Sequence, residues 1–232
     1  LVFHMQLIWF RQDLRIQDHA ALWNATQAGS TLALITLSPA QWQMHDDAPI
    51  KIDFYLRQIE KLKIELNKLN IPLIVKSIDL WKDTPNVILQ LCNEHNIQAV
   101  HANIDLGVNE LKRDAEVQSV LESKQINFEL YHDRTLFPLT TIRNQSNLPY
   151  QVFGAFKKNC YEKLSIALPQ CYPIPETQKA IVPINLSNAV IPKIQQYYPD
   201  FVSVNEIWQV GEAYALTVLD DFLANHLQHY KM

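Results

Sequence analysis

Apolar residues in the first 135 positions follow two alternating patterns. Short, almost unbroken apolar runs occur at residues 6–10 (QLIWF), 31–37 (TLALITL), 72–75 (PLIV), 99–102 (AVHA) and 127–131 (NFELY). Runs of this length without polar alternation predict strands buried on both faces. Between them, apolar positions recur every three or four residues. The clearest stripe, Ile52, Tyr55, Ile59, Leu62, Leu66 and Leu69, predicts a helix over residues 49–69. Asp46, Asp47 and Pro49 mark its start, since carboxylates favour the positive end of the dipole and proline suits the first turn. The same spacing predicts helices over residues 19–28, stopped by Gly29, over 84–96, where Asn96 tolerates a left-handed cap, and over 109–124.

Five strands alternating with helices imply an α/β domain over residues 6–135. Its fold class is a Rossmann-like, doubly wound, five-stranded parallel sheet. Such sheets bind ligands outside the carboxyl ends of their strands. That directs attention to loops 11–18, 38–49 and 103–110.

The pattern changes after that domain. Residues 136–204 read as a docking helix and an irregular linker, because six of the twelve prolines fall between Pro169 and Pro199 with little periodicity. Tyr150, Phe153 and Phe156 fit one face of the helix and are expected in a core or linker-docking role. Residues 205–232 return to helix over 211–230, with Ala215, Leu216, Leu219, Phe222, Leu223 and Leu227 as its apolar stripe. That stripe must be covered. It packs back on the α/β domain, opens a further domain, or drives self-association with a second copy.

Composition narrows the function classes. A hydrophobic fraction of 48 % against 19 % charged describes a folding chain, and no run approaches a membrane span. Twenty basic against 24 acidic residues give a net charge of −4, which excludes non-specific nucleic-acid binding through charge alone. The four glycines are widely separated, so neither a P-loop nor a G-x-G-x-x-G fingerprint exists. Cys92, Cys160 and Cys171 form no C-x-x-C pair, which argues against a disulfide framework or zinc site and fits a reducing, cytoplasmic location. Leu1–His4 lacks the basic-then-apolar pattern of a signal peptide, and Met5 reads as the native start.

The densest chemistry lies in the loop after the first strand, where Arg11, Asp13, Arg15 and Asp18 fall within eight positions. Two readings stay open: a salt-bridge cluster with Asp18 capping the next helix, or an anion or ligand site. No Ser/His/Asp or Cys/His set can be assembled, so no catalytic and no metal-binding residue is assigned. His95, His101, His132, His226 and His229 read as structural, and Trp23, Trp81 and Trp208 as packing residues.

As a string, Trp9-Phe10-Arg11-Gln12-Asp13-Leu14-Arg15-Ile16-Gln17-Asp18 resembles the opening signature of the DNA photolyase/cryptochrome family. Two further stretches agree in order. Residues 150–157 (YQVFGAFK) are similar to the family's Y-x-V-F-x-x-F-K segment, and residues 211–216 (GEAYAL), with Tyr230 later, to its G-E-x-x-A-L helix. Departures are His19 for the usual Asn, Gly154-Ala155 for the usual Thr-Pro, and an aromatic near Cys160 that is displaced or lost.

The resemblance implies a light-harvesting domain that binds an antenna chromophore and passes energy to FAD. The whole protein is then expected to split cyclobutane pyrimidine dimers in ultraviolet-damaged DNA, or, alternatively, to signal as a cryptochrome-like photoreceptor. The chain stops before the family's R-D and T-S-x-L-S motifs. FAD and DNA are therefore expected on a missing C-terminal domain, and the fragment alone is expected to be inactive. The resemblance also points to a reduced folate (methenyltetrahydrofolate) held by His45, Asn109 and Glu110, with a deazaflavin or flavin as the alternative antenna. A carboxylate suits a pterin edge because it accepts two N–H donors in parallel. The plainer reading keeps Asn109 as a helix cap and Glu110 as a first-turn carboxylate.

Overall fold

The computed structural model describes residues 5–179 and 189–230. Strands β1 (Met5–Phe10), β2 (Ser30–Leu37), β3 (Leu73–Ser77), β4 (Ile97–Asn103) and β5 (Asn127–Tyr131) form one parallel sheet in the order β3-β2-β1-β4-β5. Helices α1 (Ala20–Ala28) and α3 (Pro49–Lys68) cover one face, with Ile8, Phe10, Ile35, Ile59 and Leu66 among the residues between them and the sheet. Helices α4 (Thr84–His95) and α5 (Val108–Glu122) cover the other over Leu7, Trp9, Leu34, Val100 and Leu121. The central strand β1 buries both its faces, which is why its sequence shows no alternation. The five-stranded doubly wound sheet is therefore as the periodicity predicts.

Local details follow the capping chemistry. Asn96 ends α4 in the left-handed conformation at φ 53°, its N–H donating to the Cys92 carbonyl. At α1 the structure corrects the sequence reading. The cap is His19, whose Nδ1 accepts the Leu22 N–H at 3.0 Å, and Asn103 Oδ1 accepts the Ala21 N–H at 3.0 Å. Asp18 instead accepts the N–H of Tyr172 at 2.9 Å and fastens the later chain to the first loop.

Beyond β5 the chain wraps the α/β layer. The linker is more than a surface strap, because Ile191 and Ile194 are buried in the core beside α3. Part of the expected linker, residues 180–188, lies outside the described residues. Helix α6 (Phe153–Ile166) has no buried residue. Phe153 is 73 % exposed; the rings of Tyr150 and Phe153 stand 6.4 and 6.3 Å from that of Phe156, and Phe153 and Phe156 line a surface groove with Leu136, Phe137 and Leu139 of the preceding chain. Of the two expected roles, the core one is thus corrected, and the docking one is left. The final helix is not uniform: α7 (Glu212–Asp221) passes into one π turn at Phe222–His226 and a 3₁₀ turn at Leu227–His229. Its stripe of Leu216, Leu219, Leu223 and Leu227 is exposed. The short α2 (Pro39–Met44) lies between β2 and α3. No helix among the described residues is long and apolar enough to cross a membrane.

Candidate functional site

Strand order reverses at β1, flanked by β2 on one side and β4 on the other. Outside the carboxyl ends of these strands lies a cavity of about 260 Å³. This is the position that open parallel sheets offer to ligands. The loop after β1 contributes Arg11, Gln12 and Leu14; the end of β2, Thr36 and Ser38; α2, Trp42; and α3, Lys51, Tyr55 and Gln58. Trp81, Asp105, Glu110 and Arg113 close the opposite side.

The floor is a buried charge cluster. Asp105 pairs with Arg113 at 3.0 Å and Arg134 at 2.8 Å, with Arg11 Nε at 3.5 Å. Asp114 receives Arg113 at 2.8 Å and Arg11 Nη1 at 3.3 Å. Three guanidinium groups thus meet two carboxylates, and the Nη2 of buried Arg11 has no hydrogen-bond partner among the described residues. Burial lowers the Arg11 pKa, and Asp114 and Asp105 oppose that; an arginine keeps its charge regardless. Both Arg11 and Arg113 lie over the Trp9 ring, 4.7 and 4.8 Å from its centroid, and Arg113 is also 5.1 Å from the Trp81 centroid. Arg113 is thus in cation–π contact with both indoles.

The walls are aromatic and polar. Trp42 is fixed edge-on by Tyr197 at 5.4 Å, so the linker supports the cavity from behind. Burial, then the charges of Asp13 and Asp105, push the Tyr55 hydroxyl well above its usual range, which keeps it a neutral donor. Asp47 is engaged by Lys51 at 2.5 Å. Glu110, in the first turn of α5, has no ion pair or side-chain hydrogen bond among the described residues. Its carboxylate folds over Gly107, where a Cβ would lie 2.0 Å from Glu110 Oε2. A side chain at position 107 would push the Glu110 carboxylate aside.

Of the three residues singled out from sequence, only Glu110 lines the cavity. His45 is exposed at the end of α2, with its ring edge-on to Trp81 at 5.3 Å and Nε2 2.9 Å from Gln41 Nε2. Asn109 is exposed on α5 and does not line the cavity. The sequence reading missed Trp42, Tyr55, Asp105 and Arg113. For Arg113 a signal existed: the Arg113-Asp114 pair stands one turn before the buried stripe of Val117 and Leu121, where charge is out of place. The Arg and Asp residues of the first loop form a salt-bridge cluster, but across the fold. Arg15 reaches Asp133 at 2.5 Å, and Asp13 meets His19 and Asn103.

The DNA photolyase family pattern matches residues 6–176. A deoxyribodipyrimidine photo-lyase of Buchnera aphidicola is 31 % identical over 231 residues, covering 97 % of this chain and 46 % of that protein. The Escherichia coli protein of the same name is 29 % identical over 227 residues, covering 97 % and 47 %. In fold, the chain is similar to a Synechocystis cryptochrome (TM-score 0.74, 23 % identity, 96 % of this chain and 47 % of that one). A class III photolyase from Agrobacterium tumefaciens gives a TM-score of 0.70 at 21 % identity, over 97 % of this chain and 45 % of that one. The chain spans just under half the length of the curated relatives it matches. With the family pattern running through most of its sequence, the chain belongs to the DNA photolyase family.

Proposed function

We propose that this chain is the light-harvesting domain of a deoxyribodipyrimidine photolyase, with a reduced folate as the antenna held at the strand-end cleft. The bound pigment would supply absorption of near-ultraviolet light and transfer of that energy to FAD. FAD and the damaged DNA are assigned to the half of the relatives that this chain does not match. The named sequence relatives are deoxyribodipyrimidine photolyases, which favours repair over cryptochrome-like signalling.

The observation that carries the folate reading is Glu110, a carboxylate without a partner at a cavity walled by Trp42, Tyr55 and Trp81. Glu110 is suited to accept paired N–H donors from a pterin edge, and the indoles to flank its ring. At about 260 Å³ the cavity lies just below the usual ligand-pocket range of roughly 300–1,000 Å³. That volume suits one fused ring system, with a tail left outside the cavity. Binding to this chain alone is therefore weak.

One observation favours a second reading. The unpartnered Nη2 of Arg11, with Lys51 and Arg113 at the same cavity, suits an anionic or carbonyl-rich ring such as a flavin or deazaflavin. Titration with 5,10-methenyltetrahydrofolate and with FMN separates the two. The folate reading expects Glu110→Ala to weaken folate binding more than tenfold, for the loss of a charge-assisted bond of about 1.5–3 kcal/mol. Equal folate affinity in wild type and variant leaves Glu110 as a first-turn helix carboxylate only.

A further inference from the structure

The first turn of α7 is fastened to the α/β layer by specific polar contacts. Glu212 accepts the backbone N–H of Ile16 through Oε2 and that of Gln17 through Oε1, both at 3.1 Å. One residue earlier, the Gly211 N–H donates to Gln58 Oε1 at 2.8 Å. The Nε2 of the same Gln58 amide donates to the Leu14 carbonyl at 2.9 Å. Both Gln58 and Leu14 line the strand-end cavity. No residue of α7 is buried, so its direction does not rest on a packed apolar face. Gly211 takes φ 112°, a conformation that side-chain-bearing residues rarely adopt, and this turns the chain into the helix at that point.

We propose that Gln58 and Glu212 are positioning residues that lock the exit direction of α7 to the wall of the cleft, so that a ligand in the cleft and a docked α7 stabilise one another. The Gln58 amide is the shared element. Undocking α7 removes the partner of Gln58 Oε1 and the two acceptors of the Ile16 and Gln17 N–H groups. Gln58 and Leu14 then lose their fixed geometry, and the cavity loses part of its wall. In the other direction, a ligand against Leu14 and Gln58 orders them beforehand and lowers the entropy cost of docking α7. By linkage the two effects are equal in size. The inference rests on the ligand-binding reading of the cleft and goes beyond it. Energy transfer falls steeply with distance and depends on orientation, so an antenna site needs a fixed relation to the chain that leads onward.

The test uses this chain with Glu212→Ala, Glu212→Gln and Gln58→Ala, titrated with 5,10-methenyltetrahydrofolate and with FMN. Amide exchange is followed at Ile16, Gln17 and Gly211. Saturating probe is expected to slow exchange at all three amides in the wild type. Glu212→Ala is expected to weaken probe binding about fivefold or more, the lower range of allosteric couplings. Glu212→Gln, which keeps one acceptor, falls between. The far-UV thermal midpoint of the α/β layer stays near the wild-type value, which separates positioning from general destabilisation. A probe that binds wild type and Glu212→Ala equally, without slowing Gly211 exchange, overturns the coupling and leaves the cleft reading intact. If neither probe binds the wild type, even at concentrations high enough to reveal weak binding, the cleft reading fails and the coupling with it.

Discussion

His19 bridges the first loop and the first helix. Its Nε2 lies 3.0 Å from Asp13 Oδ2 and its Nδ1 accepts the Leu22 N–H at 3.0 Å, with both side chains buried. An acceptor at Nδ1 places the ring proton on Nε2, facing the carboxylate. This explains the departure from the family's usual Asn at this position: either side chain offers an acceptor to the helix N-terminus. His19→Asn is therefore expected to stay within about 1 kcal/mol of wild type. His19→Ala removes the cap and leaves a buried carboxylate short of a donor, at a cost of about 3 kcal/mol. Urea unfolding of the two variants measures the difference.

Stability is expected to fall in two stages on acidification. Burial lowers His101 to about 4, and its ring is satisfied by Gln6 Oε1 and the Tyr131 hydroxyl, each at 2.9 Å. The unfolded chain takes up this proton near pH 6.5, before the folded one, so stability drops between pH 6.5 and about 4 by roughly 3 kcal/mol. Asp13 acts lower. Burial opposes its ionisation, but the hydrogen bond from His19, the charge of Arg11 and the Arg11 backbone N–H outweigh that and hold it well below the usual carboxylate range. Its contribution is complete above the unfolded value of about 3.9 and is lost as pH falls below it. His101→Gln removes the first stage only. An NMR titration of His101 centred near pH 6.5 contradicts this account.

Arg113 ties two indoles to two carboxylates. Arg113→Met keeps much of the contact area but strands Asp105 and Asp114 with fewer partners, and is expected to destabilise by about 3–5 kcal/mol. Because the guanidinium lies over Trp9 and Trp81, the near-UV dichroism of the tryptophans changes as well. A variant with wild-type stability would show that the floor cluster is held by Arg11 and Arg134 without it.

Periodicity made the layers legible. The stripe from Ile52 to Leu66 faces the sheet as predicted, and the buried run of β1 sits at its centre. Strand ends were less legible: β4 extends to Ile97 and Asn103, where pairing with β1 and β5 overrides the polarity of Gln98 and Asn103. The cleft was half legible. Glu110 and the first loop carry local patterns, but the partners of Arg11, Asp105 and Asp114, lie more than ninety positions away and meet it only through the parallel topology. His45 and Asn109 were drawn from short strings, and a string does not determine which side of a helix faces the cavity.

On the function proposed above, the cleft would be an antenna site whose absorbed light drives repair at a flavin. The most direct measurement is an action spectrum of dimer repair by the full-length protein, with and without 5,10-methenyltetrahydrofolate, in wild type and Glu110→Ala. The account predicts a near-ultraviolet maximum that follows folate absorption in the wild type and disappears in Glu110→Ala, while repair driven by direct flavin excitation persists. A wild-type spectrum that follows flavin absorption alone, unchanged by added folate, contradicts it.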